Sequence, residues 1–250
     1  PVYALMSGIA ILLGYNAILA NFQFRIGHEA GKKPAGNVIR MMAYNVNKFK
    51  GIESFEGQPT QQKIYDVIAK EQPDIINFEE FYSLGSKEQN DLKRIINTSY
   101  YYFSPYEKHS TGPREYYYIG NAIFSKYPII DSGEIEGSKS LKLHAIYVDV
   151  KRNNDIFRIY CIHLAAVTMN QSEKMGYLNG GVSLGSSSFI QNALSLAFLF
   201  RSYQVDKIKR HMEKCPYPYI VAGDFNDTPV SYAVNEVSDG LKDAFQEKGA

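Results

Sequence analysis

The chain has 250 residues, 45% hydrophobic and 21% charged, with a net charge of +1. That length suits one sizeable domain whose core needs neither disulfides nor a structural metal, and that charge excludes a protein drawn onto nucleic acid by its global field. The two cysteines, Cys161 in an apolar run and Cys215 behind a basic helix, argue against a disulfide framework.

Pro1 opens the chain directly in an apolar segment, so the sequence reads as a piece of a longer protein. Val2 to Ala20, "VYALMSGIAILLGYNAILA", carries no charge and is about as long as a bilayer span requires. Residues 1–26 are therefore expected to form a membrane anchor, which localises the protein at a membrane. Residues 27–37, "GHEAGKKPAGN", read as a linker punctuated by Gly and Pro, and residues 38–250 as the globular domain.

In that domain "NVIRMMAYNV" (37–46) is strand-like. "TQQKIYDVIAKEQ" (60–72) places Ile64, Val67 and Ile68 at helical spacing behind Thr60. A short strand follows over 73–80, then a helix over 87–97. Strands are expected at 99–104, 116–125, 141–150 and 156–164, the last two joined by a turn at Asn153–Asp155. The aromatic tracts Tyr100–Tyr102 and Tyr116–Tyr118 fit strand packing better than base-stacking platforms. A Gly/Ser-rich stretch (176–188) precedes a long helix from Phe189, whose basic end (Lys207, Lys209, Arg210, His211) reads as a solvated face complementing the helix dipole. "YIVAG" (219–223) is a strand, followed by a helix near 229–237 capped by Asp227, Thr228 and Pro229. Strands in clusters separated by helices predict a mixed sheet covered by helices, an α/β or α+β sandwich.

Polar residues recur in one architectural position, the end of a strand. Asn45 closes the first strand, Glu79 and Glu80 the second. His163 ends "FRIYCIHL", and Asp224 and Asn226 follow "YIVAG". In open α/β sheets ligands gather at strand ends. Singly, each is a turn or rim residue; together they make an oxygen-rich set without Cys ligands. That set suits a hard cation, Mg²⁺ or Mn²⁺, and not zinc. A metal, an imidazole and amides are the parts needed for phosphoester hydrolysis. Neither a Gly-rich phosphate loop nor a G-x-S-x-G elbow is present.

"MMAYNV", "PDIINFEEF", "GNAIFSKYPI", "YCIHL" and "GDFNDTP", in this order, resemble the endonuclease/exonuclease/phosphatase superfamily, which includes nucleases, neutral sphingomyelinases and inositol polyphosphate phosphatases. The resemblance runs from about residue 37 to the C-terminus. It implies a four-layer α/β sandwich, with two mixed, mainly antiparallel sheets packed face to face and helices outside. It also implies roles at matching positions. Glu80 is similar to the main metal-binding carboxylate, with Glu79 the bystander, and Asn45 to the amide that helps bind metal or phosphate. His163 resembles the histidine that hydrogen-bonds the scissile phosphate or leaving group, Asp224 the carboxylate that orients water, and Asn226 the amide on the phosphate. Asn121 reads as structural, and Arg201 and Gln204 as anchors of helix to sheet.

The family's last strand carries an Asp and its end an S-D-H motif. The chain stops at "LKDAFQEKGA" without them, so as given it is expected to be an impaired catalyst. The resulting expectation is a monomeric, membrane-anchored, Mg²⁺-dependent phosphoesterase acting on nucleic acid, a phospholipid headgroup or a small phosphate ester. The alternative is a catalytically inactive membrane-tethered binding module with the same fold.

Overall fold

A computed structural model describes residues 2–22, 38–49, 60–112, 115–138, 142–167 and 184–248. The expected linker at 27–37 lies outside these residues, as does most of the Gly/Ser-rich stretch. In chain order the elements are α1 (Val2–Leu13), α2 (Tyr15–Asn21), β1 (Met41–Asn45), α3 (Thr60–Glu71), β2 (Ile75–Leu84), α4 (Lys87–Ile95), β3 (Tyr100–Gly112), β4 (Glu115–Ser125) and β5 (Ile129–Glu134). They continue with β6 (His144–Arg152), β7 (Asp155–His163), α5 (Leu184–Met212), β8 (Tyr219–Asp224), α6 (Tyr232–Ser238) and α7 (Ala244–Lys248). Contacts divide the chain into two units, residues 37–226 and residues 1–36 with 227–250.

In the smaller unit the expected single span is two helices. Gly14 departs from helical geometry (φ −88°, ψ 2°), although Gly14 N still donates to Ala10 O and Ile18 N to Gly14 O, both at 2.9 Å. Among the described residues no helix is long and apolar enough to cross a membrane. α1 buries none of its residues and exposes Tyr3, Leu5, Leu12 and Leu13. The cap of α6 differs from the one expected: Ser231 Oγ accepts from Val234 N, so the turn Asp227–Val230 lies before the helix.

The larger unit holds two four-stranded sheets, ordered β1-β2-β4-β3 and β5-β6-β7-β8. Only β1 with β2 and β7 with β8 are parallel; the other pairs are antiparallel. Alternation explains the layers, because successive side chains of a strand leave by opposite faces. Ile75 and Ile123 of the first sheet pack against Ile146, Val148, Ile159 and Cys161 of the second, which fills the space between sheets. Ile76, Phe78, Phe81 and Phe124 point the other way and pack with Ile64 and Ile68 of α3 and Leu92 of α4. α5 buries Val205, Ile208 and Met212, and its His211 Nδ1 lies 3.0 Å from Tyr160 Oη of β7. Helices, sheet, sheet and helix make the four-layer α/β sandwich. β5 was not expected as a strand; its half-exposed pattern and Ser–Gly content explain why. Both cysteines are free, Cys161 buried in the inter-sheet core.

Candidate functional site

The C-terminal ends of β1 and β2 lie side by side, with Asn45 in register with Glu79. The β2–β4 register slips between Phe78 and Phe81, and Glu80 takes a positive φ of 50°. A bulge of this kind re-aims side chains at the rim of a sheet. It separates the two glutamates. Glu79 is buried at 1% exposure and accepts a bond from Cys161 Sγ at 3.2 Å. Desolvation, opposed by that bond and reinforced by Asp224, raises its pKa to about 7. Glu80 is part-exposed at the strand end, where its Oε1 lies 3.4 Å from Asn45 Nδ2.

β7 and β8 end together in the second sheet, with His163 in register with Asp224. Gly223, at φ +152°, lets the strands approach, since a Cβ there would lie 2.0 Å from Ile162 O. The turn after it is built from its own side chains. Asp224 Oδ1 accepts from Asn226 N at 2.8 Å, and Asn226 Nδ2 donates to Leu164 O at 2.9 Å. Asn226 is thereby tied to the end of β7 through one N–H, leaving the other and its carbonyl for a ligand.

The two strand ends meet at Asn45, whose Nδ2 donates to Asp224 Oδ2 at 2.9 Å, while its Oδ1 accepts from Asn47 N. His163 is largely buried. Desolvation lowers its pKa against the opposing pull of Asp224 and Glu80, so the ring is neutral near neutral pH. α5 fixes this neighbourhood: Arg201 donates to Ala165 O, and Gln204 binds both Ala165 N and Lys142 O. Asn77 reaches from the first sheet to Tyr160 O and Ala222 O of the second.

Two neighbours were not expected. The Tyr106 ring lies 3.9 Å from that of His144 and 6.4 Å from that of His163, centroid to centroid. His144 stands opposite His163 in the β6–β7 hairpin. Asn121 binds His144 O and helps hold that strand end.

The donor set fits a hard divalent cation. Two carboxylates, Glu80 and Asp224, converge on one neutral amide nitrogen, and among the described residues neither forms an ion pair. Paired anions of this kind are stabilised by a cation between them. No group of three or more His, Cys, Asp or Glu side chains that could hold a metal forms among the described residues.

Two face-packed mixed sheets with a polar centre at converging strand ends define an α/β-sandwich protein of the DNase-I-like type. The chain belongs to the endonuclease/exonuclease/phosphatase family, whose profile matches residues 42–246. Similar solved structures include an endonuclease/exonuclease/phosphatase from Beutenbergia cavernae, at 16% identity over 80% of this chain and 52% of that one, TM-score 0.53. A β-hairpin deletion mutant of beta toxin from Staphylococcus aureus matches at 15% identity over 82% and 72%, TM-score 0.50. The human nocturnin catalytic domain with a bound sulfate anion matches at 20% identity over 80% and 69%, TM-score 0.50. These similarities are of fold, and the chain spans about half the length of the Beutenbergia protein. No curated protein matches the chain.

Proposed function

We propose that the protein is a divalent-metal-dependent phosphoesterase that works at a lipid surface. The observation that carries the reading is the convergence of Glu80 and Asp224 on the Asn45 amide, beside His163 and Asn226. Glu80 would hold Mg²⁺ or Mn²⁺, and Asn45 would join it through Oδ1 once the amide turns, since the Nδ2 that faces the carboxylates here donates hydrogen bonds and does not ligate a metal. When bound, the cation neutralises charge on the phosphoryl oxygens and lowers the pKa of a coordinated water. Asp224, fixed by Asn45 and by Asn226 N, orients the attacking water in line with the scissile bond. Neutral His163 gives a hydrogen bond to the phosphoryl or leaving oxygen, and the free N–H of Asn226 gives another.

Two exposed, uncharged helical stretches support the lipid surface. α1 is apolar on every side, and a helix of that kind suits an apolar medium rather than water. On α5, Leu194, Leu196, Phe198, Leu199 and Phe200 are exposed within seven positions. Residues 1–26 would supply the tether and a phospholipid headgroup the phosphoester.

Two measurements test the reading. Mn²⁺ should bind the protein and relax water protons, and Glu80→Gln should weaken that binding on the order of 100-fold. Mg²⁺-dependent hydrolysis of bis(p-nitrophenyl) phosphate should be abolished by Glu80→Gln and by His163→Ala. Unchanged metal binding and turnover in both variants would overturn the assignment. Flotation with liposomes, lost when residues 1–22 are deleted, tests the tether.

A further inference from the structure

The candidate site is divided between two sheets. Asn45 and Glu80 stand at strand ends of the first, His163 and Asp224 at strand ends of the second. Ligand distances at a metal vary by only about 0.2 Å. Apolar packing between sheets is non-directional, so it sets the position of one sheet on the other less sharply than directed bonds do.

Just behind the site the space between the sheets stops being apolar. β2 sends Ile75, Asn77 and Glu79 toward the second sheet in alternation, and the last two are buried polar residues. Each bonds across the gap. Asn77 Nδ2 donates to Tyr160 O of β7 at 2.9 Å and to Ala222 O of β8 at 3.3 Å. Cys161 Sγ of β7 donates to Glu79 Oε1 at 3.2 Å and lies 3.6 Å from Phe78 O. Burial keeps the thiol protonated, because desolvation and then the Glu79 charge raise its pKa. A carboxyl oxygen accepts a hydrogen bond in either protonation state.

These bonds join the backbone that carries the site. Glu79 O accepts from Val46 N at 3.0 Å, which ties the bulge to the strand end bearing Asn45. Glu80 follows at once, and its positive φ belongs to the same bulge. Across the gap Cys161 is in register with Ala222, two residues before His163 and Asp224.

We infer that Glu79 and Cys161 are positioning residues, a buckle between the two sheets that sets the reach of Glu80 and Asn45 toward Asp224 and His163. This rests on the phosphoesterase reading above, and it gives Glu79 a task other than ligation. Asn77 is a second clasp of the same kind, two residues further from the site. Matched apolar groups in place of Glu79 and Cys161 would hold the sheets with little or no loss of stability. What they would not supply is direction, since a bonded polar network in a core specifies one arrangement.

Water-proton relaxation with Mn²⁺ on the whole chain tests the buckle, alongside thermal unfolding without metal. Cys161→Ala removes the donor and keeps both glutamate charges. It should weaken Mn²⁺ binding about tenfold, as loss of a partner behind a ligand does. Cys161→Ser keeps an O–H donor and should recover most of that loss. Glu79→Leu combined with Cys161→Ala replaces both partners by apolar groups; its Tm should match the parent's while its affinity stays low. Glu79→Gln, which drops the charge and keeps an acceptor, should bind Mn²⁺ nearly as the parent does. If Cys161→Ala fails to fold, the double variant and Glu79→Gln carry the comparison. A merely structural role predicts that affinity returns with Tm, and parent-like affinity in the double variant or in Cys161→Ala overturns the buckle alone. So do equal losses in Cys161→Ser and Cys161→Ala, or a loss in Glu79→Gln as large as in the double variant. Failure of the parent itself to bind Mn²⁺ overturns the buckle and the phosphoesterase reading together.

Discussion

The larger unit holds two groups of charged side chains that obey opposite rules. Beside α5, on the second sheet, Asp149 and Arg158 form a closed pair: Arg158 donates to both carboxylate oxygens at 2.6 and 2.7 Å, and both residues are buried. Tyr147 stacks under the guanidinium at 4.0 Å. Arg158 also lies 4.0 Å from the exposed Asp131 carboxylate, so the one cation answers both anions beside it. At the converging strand ends, Glu80 and Asp224 face each other across a neutral amide. A matched buried pair is a structural device, whereas anions gathered without a cation keep a place for something that binds. Charge alone does not mark a site; unanswered charge does.

The largest expected effect breaks the first group. Arg158→Leu leaves Asp149 buried and unpaired, and should cost about 3–5 kcal/mol of stability by denaturant unfolding. Asp149→Leu combined with Arg158→Leu should recover most of that loss, since an apolar pair of similar volume restores packing without charge. A single variant as stable as the parent would show that the pair is not closed in solution.

Gly223→Ala comes next and acts on the scaffold of the second group. The new Cβ would lie 2.0 Å from Ile162 O at φ +152°, so β8 must withdraw from β7. About 1–3 kcal/mol of stability should be lost, with Mn²⁺ affinity falling alongside as Asp224 moves. Loss of stability with affinity intact would mean that Asp224 is held by Asn45 and not by the strand.

Glu80→Gln removes charge from the second group without touching its backbone, since Gln and Glu bear the same cost at a positive φ. Thermal stability in the absence of metal should stay equal or rise by up to about 1 kcal/mol, because a repelling charge has gone. A clear loss of stability would place Glu80 with the structural charges after all.

Much of this site is legible in the sequence because it depends on strand ends. Asn45, Glu80, His163, Asp224 and Asn226 each follow an apolar run, and an apolar run that breaks into Gly–Asp–Phe–Asn announces both the strand and its exit. What escapes is whatever needs register. The bulge at Glu79–Glu80 decides which glutamate faces the site, and no local pattern shows it. Tyr106 follows a second irregularity, between Pro105 and Glu107, and looks like one more strand tyrosine. His144 was within reach: a two-residue turn at Asn153–Asn154 sets Arg152 opposite Asp155, and stepping back along the hairpin sets His144 opposite His163. The polar half of β3, "YEKHSTG", and the edge strand β5 lack the alternation that marks a half-buried strand. The break at Gly14 also went unread, because glycine within an apolar run is compatible with one helix or two.

The smallest expected effect sharpens the comparison through pH, at His211 beside the closed pair. Its ring bonds to Tyr160 Oη, and its pKa is lowered by desolvation first, then by Arg158 and Lys214, against the pull of Asp149. A histidine that takes up its proton less readily when folded leaves the unfolded state binding more protons as the pH falls. The stability tied to His211 is thus complete above the ordinary histidine range and declines as the pH drops through it. His211→Gln, which can keep a hydrogen bond to Tyr160, should therefore narrow the difference in Tm between pH 7.5 and pH 5.5. If the two proteins lose stability in parallel over that range, the Arg158 charge is screened from the ring, and the closed pair is more open to water than its bond lengths suggest.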